Sequence, residues 1–91
     1  MFEEQVDEVI QRNEKVNKEK YLILFNDDVN TFDDVIEALI EVCEHDPLQA
    51  EQCTLITHYK GKCSVKEGSF KKLRPVCEGL HDRGLSAKIE D

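Results

Sequence analysis

The chain has 91 residues, 40% of them hydrophobic, and a formal net charge of −8. That length suits one domain with a thin core, and the acidic mean field repels nucleic acid and anionic lipid while leaving a basic or peptide partner favoured. No stretch approaches the ~20 apolar residues of a membrane span, and the acidic start MFEEQVDEVI lacks the basic residues and apolar run of a secretory signal, so a cytoplasmic location away from membranes is expected.

Residues 1–20 contain no Gly or Pro, and their apolar residues (Phe2, Val6, Val9, Ile10, Val16) are sparse. Such a segment buries little, and a mobile N-terminal extension is expected there, with one domain over 21–91. Tyr21-Leu22-Ile23-Leu24-Phe25 is a dense β-prone run. It stops at Asn26-Asp27-Asp28, turn formers whose side chains bond nearby backbone amides. Thr31 reads as a helix N-cap, with Asp33 and Asp34 in the first turn where the helix dipole favours negative charge. Phe32, Val35, Ile36, Leu39, Ile40 and Cys43 follow at amphipathic helical spacing. His45-Asp46-Pro47 breaks that helix, and Pro47 suits the first turn of a second. The second helix carries Leu48, Cys53, Leu55 and Ile56 and is expected to end near His58.

Tyr59-Lys60-Gly61-Lys62 reads as a turn, and Lys62–Lys66 as a short, half-exposed strand. Ser69 caps a third helix whose stripe is Phe70, Leu73, Val76, Cys77 and Leu80. Pro75 lies inside that stripe, so a kink or a later start is expected. Gly84 closes the helix, and Leu85–Ile89 alternates as a last strand. The order β-α-α-β-α-β argues for an α+β fold: a small antiparallel three-stranded sheet with three helices packed on one face.

Cys43, Cys53, Cys63 and Cys77 are widely spaced, with no close pair of the kind that zinc sites use and no export signal to favour disulfides. They are expected as reduced, mostly buried thiols. His45 and His81 read as capping or surface residues, and Tyr59 as a packing residue.

Asn26-Asp27-Asp28 directly after a strand, with His58 at a helix end, has a definite chemistry. A free α-amino group has a pKa near ~8 and is mostly an ammonium at pH 7. It offers three donors, so its site needs converging acceptors and a compensating negative charge. Asn26 offers an amide oxygen, Asp27 or Asp28 a charge, and a neutral His58 a ring nitrogen. Asp27, Asp28 and His58 could also be drawn as an acid-base set, but no nucleophile motif, phosphate loop or metal signature completes it. No catalysis, cofactor or metal is therefore expected.

Tyr21–Asp28, the helix after it, and His58-Tyr59-Lys60-Gly61-Lys62 resemble the ClpS family of adaptors for proteins with destabilising N-terminal residues. The resemblance runs from about Tyr21 to Asp91. It is weaker in the last third, where Phe70-Lys71-Lys72-Leu73-Arg74 is shorter and more basic than the family pattern. It implies that Asn26 and His58 contact the ammonium, that Asp27 helps through charge or water, and that Leu24, Phe32, Val35, Thr54, Thr57 and Leu85 line a hole for the first side chain. Asn30, Phe32 and Thr54 depart from the residues usual there, and the smaller Thr54 implies a looser filter against Ile and Val.

The resemblance also implies the partners. These are substrates beginning with Leu, Phe, Tyr or Trp (N-degrons), and the N-terminal domain of a Clp AAA+ unfoldase of the ClpA or ClpC class, the adaptor itself being a monomer. The alternative is a ribosomal-stalk-like interaction module that has no use for an amino-terminus site.

Overall fold

The computed structural model describes residues 19–91. The expected mobile extension therefore lies outside the described residues except for Glu19 and Lys20, and Lys20 already belongs to the first strand. The elements are β1 (Lys20–Phe25), α1 (Phe32–Cys43), α2 (Pro47–Lys60), β2 (Lys62–Gly68), α3 (Phe70–Asp82) and β3 (Ser86–Glu90). This is the order read from the sequence.

β1 is the central strand of an antiparallel sheet ordered β2-β1-β3. Strand side chains alternate between faces, and Leu22 and Leu24 are fully buried while Tyr21, Ile23 and Phe25 are partly exposed. Leu24 pairs with Cys63 on one side and Ala87 on the other. The register against β2 shifts between Leu22 and Ile23, where one strand carries an extra residue.

Leu22, Leu24, Leu39, Leu73 and Leu80 are the largest fully buried side chains, joined by Ala38, Ala50, Val65 and Leu85. Each fully buried Leu contributes about 1.5–3 kcal/mol from removal of apolar area. Cys43, Cys53 and Cys77 belong to this core, Cys63 sits at its edge, and all four thiols are free. Gly79 lets α3 approach α1 closely: a Cβ there would lie 2.8 Å from Val42 Cγ1.

The caps explain where the helices start. Thr31 Oγ1 accepts from the Asp34 N–H at 3.1 Å, and the Asp34 carboxylate accepts from the Thr31 N–H at 3.3 Å. Asp46 caps α2 by accepting from the Gln49 N–H at 2.8 Å, with Pro47 in the first turn.

Several expectations are corrected. Tyr59 and Lys60 are helical, because the left-handed residue that ends α2 is Gly61, with φ 91°. Tyr59 is 78% exposed and lies outside the core, its ring packing only edge-on against His58 with centroids 5.1 Å apart. α3 begins immediately after its cap Ser69 and carries Pro75 inside it; the carbonyl that loses a donor belongs to exposed Lys71, where water can replace the bond. Phe70 and Leu48 are exposed rather than core. Leu85 precedes β3 instead of opening it.

His45 is buried, not on the surface. Its Nε2 lies 2.6 Å from the Val65 carbonyl, so Nε2 carries the proton and donates, and Nδ1 is a buried acceptor without a partner among the described residues. His81 is exposed, as expected, with Nε2 donating to the Ala87 carbonyl at 2.7 Å.

Candidate functional site

A cavity of about 300 Å³ opens where the end of β1, the start of α1, the second half of α2 and the chain before β3 converge. The sequence dictates each wall. β1 ends at Phe25 and delivers Asn26, Asp27 and Asp28 to one rim. The Asn26 N–H donates to the Gly61 carbonyl at 2.9 Å, which ties this turn to the C-terminus of α2. That same terminus carries His58, which also lines the cavity.

The turn is built by Asp27. Its Oδ1 accepts from the backbone N–H groups of Val29 and Asn30, both at 2.8 Å. The Asn30 amide adds contacts of 3.3 and 3.2 Å to Oδ1 and Oδ2. Partial burial pushes the Asp27 carboxyl up, but the donors from Asn30 and Val29 outweigh it and hold the group below the usual carboxylate range. Asp27 is thus a fixed negative charge at neutral pH.

Among the described residues, no side chain or backbone group hydrogen-bonds the side chains of Asn26, Asp28 or His58. Asn26 and Asp28 are exposed, and His58 packs edge-on against Phe32 with ring centroids 5.0 Å apart. The rim therefore offers acceptor lone pairs and negative charge with little competition from the protein itself.

The interior is different. Buried Leu24 and Leu85, half-buried Val35 and the ring of Phe32, which is 42% exposed, form apolar walls. Thr54 and Thr57 are buried on the facing side of α2. Each hydroxyl donates to the carbonyl four residues earlier, Thr54 to Ala50 and Thr57 to Cys53, both at 2.8 Å. Their protons are spent on the helix, so they present methyl groups and acceptor oxygen but no free donor. Asn30 borders the same space and also donates through Nδ2 to the Gly84 carbonyl at 2.9 Å.

All eleven residues singled out from the sequence border this one cavity. Phe25 and Thr31 do too and were not singled out; their positions between named neighbours were the available signal. Among the described residues, no group of three or more His, Cys, Asp or Glu side chains could hold a metal, and no helix is long and apolar enough to cross a membrane.

Comparison with known proteins agrees with the fold. The structure of Agrobacterium tumefaciens ClpS2 bound to L-phenylalaninamide superposes with a TM-score of 0.68 at 19% sequence identity, covering 80% of this chain and 95% of that one. No curated protein sequence matches. The sequence pattern of the family described as ATP-dependent Clp protease adaptor protein ClpS matches residues 15–88, most of the chain. With that match and the shared β-α-α-β-α-β fold, the chain belongs to the ClpS family of Clp protease adaptors.

Proposed function

We propose that this adaptor holds the N-terminal residue of a substrate protein in the cavity and hands that protein to a Clp AAA+ unfoldase of the ClpA or ClpC class. The observation that carries the reading is the division of one cavity into an acceptor-rich, acidic rim and an apolar interior. An α-ammonium next to a large apolar side chain has that same division, and it occurs once per chain, at its start.

Asn26 and His58 accept from the ammonium. Asp27 and Asp28 supply the negative charge, Asp28 with its lone pairs open and Asp27 with most of its lone pairs engaged in the turn. Burying a large apolar side chain inside contributes about 1.5–3 kcal/mol, enough to rank substrates. The ligand of the similar ClpS2 supports this reading, since L-phenylalaninamide combines a free α-amino group with a benzyl side chain. Leu, Phe, Tyr and Trp are the favoured first residues. The adaptor works as a cytoplasmic monomer without a cofactor, and unfolding and cleavage belong to its partners.

Two peptides that differ only in a free or an acetylated N-terminus test the reading. The free Leu- or Phe-initiated peptide should bind and the acetylated one should not; equal binding of both refutes it and leaves the stalk-like interaction module. Thr54 brings a short side chain with no free donor to the wall, so Ile and Val should be accepted less than a hundredfold more weakly than Leu. A hundredfold or larger gap would show that the filter is not loose.

A further inference from the structure

We propose that Asn30 is a positioning residue whose side-chain amide straps the two walls of the cavity together. This rests on the function proposed above and concerns how the site keeps its shape. Nδ2 carries two protons. One faces the Asp27 carboxylate, at 3.3 and 3.2 Å from its two oxygens, and the other reaches the Gly84 carbonyl at 2.9 Å. Asp27 belongs to the turn after β1, and Gly84 immediately precedes Leu85, the buried wall residue before β3. Across 54 positions of sequence, one amide joins the charge that faces the ammonium to the wall that faces the first side chain.

The chemistry requires an amide of this length. A hydroxyl has one proton and can serve the carboxylate or the carbonyl, not both. A carboxylate has none and repels Asp27. The Gly84 turn is itself in left-handed conformation, with φ 78°, and is held by its own N–H to His81 and by the Arg83–Glu41 ion pair at 2.5 Å. Asn30 is the link between that rigid turn and Asp27, so it fixes where the carboxylate stands relative to Leu85. Substrate binding that needs both at once then depends on it, although Asn30 need not touch the substrate.

The test uses the full chain, Leu-initiated peptides, and the variants Asn30→Thr and Asn30→Asp. Wild type should first distinguish free from acetylated N-termini; if it does not, the proposed function fails and not the strap. With that established, Asn30→Thr should bind the free peptide about tenfold more weakly because the carboxylate and the Leu85 wall are no longer held together, with at most the small loss of thermal stability expected of one exposed hydrogen bond. Asn30→Asp should bind more weakly still at pH 7.5, and its deficit relative to wild type should narrow by pH 5.5 as the introduced carboxyl takes up a proton and regains a donor.

The carboxylates facing that position favour such uptake, and a charged His58 opposes it. Asp27, Asp28 and His58 lie on the cavity side, and Asp34, Glu37 and Arg83 on the outer side, with Arg83 already engaged by Glu41. A merely structural loss would give a deficit that does not depend on pH. Wild-type binding by both variants, or an Asn30→Asp deficit of the same size at both pH values, overturns the proposal. If the variants fail to fold, the Asn30 side-chain amide of the wild type is read by NMR instead. Its protons should exchange slowly with solvent, and exchange as fast as a free asparagine amide would equally overturn it.

Discussion

Two histidines show how differently the two ends of α2 use the same side chain. His45, after α1, is 5% exposed, and its Nε2 proton is committed to the Val65 carbonyl. His58, in the last turn of α2, is exposed, and among the described residues its ring nitrogens have no hydrogen-bond partner. The first imidazole joins the α1–α2 junction to β2. The second is kept beside Phe32 and faces a cavity. A histidine in a sequence thus carries no role of its own; the backbone carbonyls that the fold brings to it decide whether its bonding capacity is used up or left open.

Substitution separates the two ends. His45→Ala opens a hole and strands the Val65 carbonyl, which together should cost about 3 kcal/mol of stability. His58→Ala should leave the denaturation midpoint within about 0.5 kcal/mol of wild type, as expected for an exposed side chain. Under the proposed function its loss appears in binding, on the order of 1.5–3 kcal/mol, as for Asn26→Ala. Denaturation midpoints beside peptide titrations check both, and a His58→Ala protein that is unstable yet binds normally would reverse the comparison.

The thiols sharpen the same contrast between committed interior and open rim. Burial pushes Cys43 up to about 11 and Cys53, which also interacts with Cys63, up to about 12; Cys77 is raised as well. A thiol raised in the folded state favours folding fully below the ordinary value of about 8.5, and that contribution is lost as the pH rises through the folded value. Stability should therefore fall between about pH 8.5 and 12. Alkylation of the native protein near pH 8 should reach the half-buried Cys63 first. Modification of Cys43 or Cys53 as fast as Cys63 would contradict this burial.

The smallest effect lies in the turn. The Asp27 carboxyl is depressed, so its contribution is present above the ordinary carboxylate value of about 3.9 and is lost as the pH falls through the lower native value. A weak loss of order over residues 26–30 below about pH 4 is expected in amide exchange, and Asp27→Asn should abolish its pH dependence.

The element order was legible because each start and stop has a local cause. Thr31, Asp46 and Ser69 cap, Gly61 ends a helix, and the apolar period changes between Phe25 and Phe32. What was not legible depends on distant partners. Nothing near His45 in sequence announces the Val65 carbonyl 20 residues away. Nothing near Asn30 announces Gly84. That the Asn-Asp-Asp turn and His58 share a cavity came from the family resemblance, since spacing alone does not bring residues 26 and 58 together. α2 runs two residues past His58, because Gly61 is a helix-ending residue and not the middle of a turn, a distinction that depends on its left-handed backbone.

The bond from the Asn26 amide to the Gly61 oxygen has a consequence for how such chains can diverge. Surface connections normally absorb added or lost residues at little cost. Here Gly61 alone joins α2 to β2, and Phe25 pairs with Lys62 directly beside it. One residue inserted at this junction would slip β2 against β1 and swing the end of α2 away from Asn26. The one-residue length of the connection between α2 and β2 is thus locked at this corner.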